Sequence, residues 1–124
     1  MPQLSVEHSA DVLLDRRDFA LAAHALVTQL IDCAPEECKT RFRTADETCV
    51  GDGEPHHAVA VGEIRILPGR SPQVRTALSE GLLSLLADHI TPKPGQRLHL
   101  AWDVLELDDT TYRRLTLTDG ADTP

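Results

Sequence analysis

The sequence predicts an α+β fold in which two β-α-β units form one four-stranded sheet with two helices on one face. Three observations predict it. Apolar residues alternate at period two in several short segments and recur at helical spacing in two longer ones. The order strand, loop, amphipathic helix, proline-bearing turn, strand occurs twice, with Val6 and Ile64 at comparable places and Pro35 and Pro92 likewise. A strand–helix–strand unit of this length makes a right-handed crossover between parallel strands, so two units can share one sheet. The expected domain is 1–118, with pseudo-repeats at about 2–56 and 57–118, and the polar stretch 119–124 is expected to be a disordered tail.

The elements follow in order. Leu4 and Val6 alternate with Ser5 and Glu7, which predicts a half-buried strand from about Gln3 to His8. Asp15 is placed to cap a helix whose apolar face is Phe19, Ala23, Leu26, Val27, Leu30 and Ile31. Pro35 marks the exit loop. Thr40 to about Val50 reads as extended, with Arg41 and Arg43 on one face and Phe42 and Thr44 on the other. Gly51-Asp52-Gly53-Glu54-Pro55 is a turn signal, and the strand His57–Leu67 after it predicts a hairpin. Ser71 suits an N-cap and Pro72 the first helical position of a helix carrying Val74, Leu78, Leu82, Leu85, Leu86 and Ile90. Thr91-Pro92-Lys93-Pro94-Gly95 stops it. Leu98, Leu100, Trp102 and Val104 alternate along a further strand, and Thr111–Thr118 predicts a short last one.

Bulk composition narrows the partners. A chain of 124 residues suits one domain. Its formal charge of -8 argues against nucleic acid and anionic membrane as partners, and any anionic ligand then needs a local basic pocket. No apolar run approaches the roughly 20 residues needed to span a bilayer, and no basic segment leads into an apolar one at the N-terminus, so a cytoplasmic location is expected. Cys33, Cys38 and Cys49 read as free thiols. Cys33 and Cys38 with His56-His57 lack the tight paired spacing of structural zinc, so no metal site is assigned. The strands carry apolar residues on both faces, which predicts that an oligomer covers the second face of the sheet.

The residue with most chemical meaning is Pro2. Start methionine is normally removed before a small residue, which leaves Pro2 at the mature N-terminus with a secondary amine. An ordinary α-amino group titrates at about 7.7–8.0. Burial or a nearby cation lowers that value towards the range of a neutral-pH general base. A strand begins immediately after it.

Duplicated β-α-β units behind an N-terminal proline resemble the tautomerase superfamily, and within it the 5-carboxymethyl-2-hydroxymuconate isomerase family. Residues 1–9, Met-Pro-Gln-Leu-Ser-Val-Glu-His-Ser, are similar to that family's opening at Val6-Glu7 and Ser9. Arg41 falls on an arginine of its second strand, Asp46, Asp52-Gly53 and Ala58 keep the register, and Gly69-Arg70-Ser71 matches the Gly-Arg-Ser that opens its second helix. The segment Ile64–Ser71 is also similar to the start of the short 4-oxalocrotonate tautomerases. The likeness spans about residues 2–107. Tyr112-Arg113-Arg114-Leu115-Thr116 departs from it by lacking the family's asparagines.

The resemblance implies a cofactor-free homotrimer that isomerises a small anionic enol or keto acid in aromatic-compound catabolism. Pro2 would move the proton. Arg41 and Arg70 would hold a substrate carboxylate and stabilise the enolate, in an order left open. Arg43, Arg113 and Arg114 are further candidates for substrate binding. The competing readings are a non-catalytic small-molecule-binding or structural trimer of the same fold, and a ferredoxin-like regulatory domain. Pro2 separates them, because a regulatory domain has no use for a free proline amine beside arginines.

Overall fold

The period-two segments become strands and the helical-period segments become helices. The structure, a computed structural model, describes residues 1–120. Strand β1 (Gln3–Ser9) is followed by the short β2 (Leu13–Leu14) and helix α1 (Arg16–Leu30). A 3-10 turn at Pro35–Glu37 leads into β3 (Lys39–Ala45), and β4 is His57–Ile66. Helix α2 (Pro72–His89), the short β5 (Ile90–Thr91) and β6 (Arg97–Glu106) complete the order. No helix among the described residues is long and apolar enough to cross a membrane.

The main sheet has strand order β3-β1-β4-β6. Each β-α-β unit supplies a parallel pair, β1 with β3 and β4 with β6, and the units meet at the antiparallel pair β1–β4. This is the predicted four-stranded sheet. The hairpin is corrected: β3 and β4 are consecutive in sequence but lie on opposite sides of β1. The crossover through α1 carries β3 parallel to β1, so the 51–55 turn joins strands that are not neighbours. The extended segment also ends at Ala45, short of Val50. A second correction concerns Thr111–Thr118. Residues 112–119 form no strand, and Leu115 and Leu117 are 83% and 85% exposed. Of the tail, Asp119 and Gly120 each have an interaction partner, and 121–124 lie outside the described residues.

Even-numbered strand residues face the helices. Leu4 and Val6 of β1, with Ala58, Ala60, Ile64 and Ile66 of β4, meet Phe19, Ala23 and Val27 of α1 and Leu78, Leu82 and Leu86 of α2 in one core. Ser71 caps α2 as expected, its hydroxyl accepting from the Val74 N–H at 3.2 Å. Asp15 occupies the N-cap position of α1, but its side chain makes no capping bond. Its backbone N–H donates to His89 O at 2.9 Å, beside the β2–β5 ladder that sequence reading missed. The outer face is more polar than expected. Gln3, Ser5, Glu7, Lys39, Arg41, Arg43, Glu63 and Arg65 share it with Val59, Val61 and Leu105.

Two close approaches depend on glycine. A Cβ on Gly81 of α2 would lie 2.6 Å from Leu26 of α1, so the missing side chain lets the helices nest. Gly62 is opposite Trp102 in the β4–β6 register, and the indole lies across it. A Cβ there would meet the ring at 2.0–2.8 Å. Gly62→Ala is therefore expected to destabilise the protein by about 1–3 kcal/mol, the range for overpacking a core. Urea unfolding checks this: the midpoint falls, and Trp102→Leu in the same chain restores part of the loss. An unchanged midpoint would contradict the packing described.

Candidate active site

Pro2 stands where β1 begins. It is buried, and its carbonyl accepts from the Lys39 N–H at 3.1 Å, so the β1–β3 ladder anchors it from one side. On the other side the β1–β4 register pairs Gln3 with Arg65, which brings the end of β4 alongside. The chain leaves β4 through Leu67-Pro68-Gly69 to Arg70. Gly69 adopts a φ of 114°, a left-handed conformation open to glycine without strain. The half-buried Arg70 is held back on this connection, its Nη1 donating to Leu67 O at 3.4 Å.

The segment after β6 passes the same end of the sheet. Gln3 Nε2 donates to the Tyr112 hydroxyl at 3.3 Å, which brings Arg113 and Arg114 to this end as exposed neighbours of Tyr112. Arg113 itself donates to Tyr112 O at 2.9 Å. Pro2, Arg70 and the Tyr112–Arg114 segment thus share one end of the sheet.

Arg41 and Arg43 lie elsewhere on it. Arg41 is opposite Ser5, three residues along β1 from Pro2, or roughly 10 Å at the rise of a strand. Arg43 is opposite Glu7, roughly 16 Å from Pro2 on the same measure. It borders a shallow cleft of about 190 Å³ on the outer face, with Ser5, Glu7, Val61 and Glu63. Two carboxylates there set the charge against an anion. Both arginines are exposed on the outer face, directed away from the helices.

Sequence reading passed over Lys39. It faces Gln3 across the β1–β3 ladder and is the first cation beside Pro2 in the sheet. Its ammonium donates to Glu36 O in the turn before β3. Nothing in its spacing marks it; only the parallel pairing of β3 with β1 brings it to Pro2. Its charge reaches α1. His24 of α1 is held below the usual imidazole range, chiefly by burial and then by Lys39. His24 Nε2 is bonded to Thr40 Oγ1 at 2.7 Å. No group of three or more His, Cys, Asp or Glu side chains among the described residues is arranged to hold a metal ion.

The arrangement can therefore offer one secondary amine, once Met1 is removed, with Lys39 and Arg70 at the same end of the sheet. That combination suits proton transfer on an anion, in which the amine moves the proton and the cations carry the charge that develops.

Comparison with solved structures identifies the fold. A 5-carboxymethyl-2-hydroxymuconate isomerase from Deinococcus radiodurans R1 superposes with a TM-score of 0.75 at 17% identity, covering 94% of this chain and 90% of that one. A 5-carboxymethyl-2-hydroxymuconate delta-isomerase gives 0.69 at 17% identity, covering 94% and 89%. A fused 4-OT wild-type symmetric trimer gives 0.62 at 15% identity, covering 95% and 93%. The chain has the tautomerase fold. No protein-family model matches the sequence, and no curated protein matches it.

Proposed function

We propose that this protein is a cofactor-independent isomerase of the 5-carboxymethyl-2-hydroxymuconate isomerase type, with Pro2 as general base. The observation that carries the reading is the placement of Pro2: buried immediately before β1, with Lys39 beside it in the ladder and Arg70 at the same end of the sheet. The fold shared with two isomerases supports it. The substrate is an unsaturated 2-hydroxy carboxylate or dicarboxylate. The Pro2 nitrogen takes the enol proton, and the oxygen's electron pair forms the carbonyl as the conjugated system shifts. The same nitrogen returns the proton to a carbon further along the chain. Negative charge rests on the oxygen between these steps, and an arginine beside it lowers that barrier.

The working assembly is a homotrimer. A trimer of the same fold supports this, as does the exposed Val61 on the outer face of the sheet. In the trimer Arg41, exposed and some distance from Pro2 of its own chain, serves a site at the boundary between copies. Such an enzyme works in the cytoplasm on products of aromatic-ring breakdown.

The test uses protein shown by intact mass to lack Met1. It is offered 2-hydroxydienoates and phenylenolpyruvate-type enols, and ketonisation is followed by ultraviolet absorbance. Turnover of at least one dienoate is expected, with sedimentation at about three times the chain mass of 13.6 kDa. A clean monomer would defeat the boundary site. A trimer inert across the whole panel would favour a binding protein on the same fold.

A further inference from the structure

The sheet end where β4 and β6 begin gathers His56, His57 and His99, and the proposed chemistry uses none of them. The β4–β6 register pairs His57 with Arg97 and Val59 with His99, so His57 and His99 share the outer face on neighbouring strands. His57 Nδ1 lies 2.9 Å from His99 Nε2. His56 stacks on His57, with ring centroids 5.1 Å apart. The pair stands far from Pro2. Arg65, which faces Gln3, is eight residues further along β4 than His57, or roughly 26 Å at the rise of a strand. We propose that His57 and His99 form a two-imidazole site for a late first-row divalent metal ion of right-angled coordination, the nickel(II) and copper(II) class.

The spacing of the two nitrogens matches the bite of such an ion. Metal–imidazole bonds of about 2.0–2.1 Å set two donors about 2.9 Å apart at a right angle, and about 3.3 Å apart at the tetrahedral angle. As the pair stands, one ring donates its N–H to the other. To bind, the donating ring moves its proton to its far nitrogen through solvent. Both facing nitrogens then offer lone pairs, and the pair loses no proton. Exposure lets the His99 ring turn to aim its lone pair at the ion. Two imidazoles are the protein's whole share, since no third His, Cys, Asp or Glu among the described residues is arranged with them. Water fills the other positions. Local charge favours a cation. Asp11 and Asp46 border a cleft of about 230 Å³ with His57, against Arg97 across the ladder, and the chain carries a formal charge of -8. The two ligands are 42 residues apart in sequence, so the ion binds the folded chain in preference to the unfolded one.

Nickel(II) is the probe, because copper(II) would oxidise the free thiols Cys33, Cys38 and Cys49. Reduced, full-length protein is titrated with nickel(II) chloride by calorimetry. We expect saturation at one ion per chain. His57→Gln and His99→Gln should each abolish it over the same concentration range. His56→Gln, which removes only a stacking ring, and Cys49→Ser, which removes the exposed thiol, should keep it. Two readouts need no variant. In NMR spectra of the wild type, the ring signals of His57 and His99 should be the first among the histidines to shift or broaden. The urea midpoint of the wild type should rise with nickel(II), and His99→Gln should lose that rise. Undiminished binding in the double variant His57→Gln/His99→Gln would overturn the proposal. So would loss of binding in Cys49→Ser, one ion shared by three chains, or a wild type that never saturates.

Discussion

Protein made to keep Met1 is expected to have no isomerase activity. An amide nitrogen is not basic, so a peptide bond at Pro2 removes the base while leaving the burial of Pro2 and its bond to Lys39 in place. Inserting a bulky residue between Met1 and Pro2 blocks cleavage, and intact mass confirms the block. Pro2→Ala is the milder comparison. It leaves a primary amine and should lose much, but not all, of the rate. The pH profile gives an independent readout. Burial and the Lys39 and Arg70 charges at this end of the sheet are expected to disfavour the protonated amine. The rate should then rise with pH as the amine deprotonates and level off once it is neutral. Equal activity with and without Met1 would place the base elsewhere.

Arg41→Ala and Arg70→Ala are each expected to cut turnover by roughly 10²–10³, the scale for removing one donor that stabilises developing charge. Folding should survive both. Arg41 is exposed, and Arg70 makes a single long bond to Leu67 O. Steady-state kinetics on the best dienoate separates the roles. The arginine at the enolate oxygen should lower kcat, whereas the one on a carboxylate should raise KM more than it lowers kcat. Arg43→Ala provides a scale, because Arg43 sits by Glu7 and Glu63 in the outer-face cleft and should matter less. Near-normal rates in both the Arg41 and Arg70 variants would remove these residues from the mechanism.

Local pattern was legible in the sequence, and partnership was not. Leu4 and Val6 could be assigned to a strand because period-two burial is written in the strand itself. Ser71-Pro72 could be assigned to a helix start because capping needs only neighbouring residues. The 51–55 turn shows only that the chain reverses. It does not say that β1 will lie between the strands it joins, because that depends on the α1 crossover bringing β3 back beside β1. The strand expected at Thr111–Thr118 fails for the same reason: the segment invites pairing, yet no strand among the described residues pairs with it. Pro2 was visible as a candidate from its position alone. Lys39 was not, since its nearness to Pro2 exists only across a ladder between residues far apart in sequence.

The Phe19 ring sits among aromatic side chains of three other elements. It lies 6.3 Å from Phe42, 6.1 Å from His89 and 5.9 Å from Trp102, touching β3, α2 and β6 from its own place on α1. Trp102 is the chain's one tryptophan and belongs to the second β-α-β unit, whereas Phe19 belongs to the first. The protein therefore carries a built-in optical gauge of whether its halves are joined. While they are docked, the indole is shielded by an aromatic wall from the other half. If they part, it meets water and its emission shifts to the red, so one fluorophore reports the mating of two similar modules rather than the folding of either.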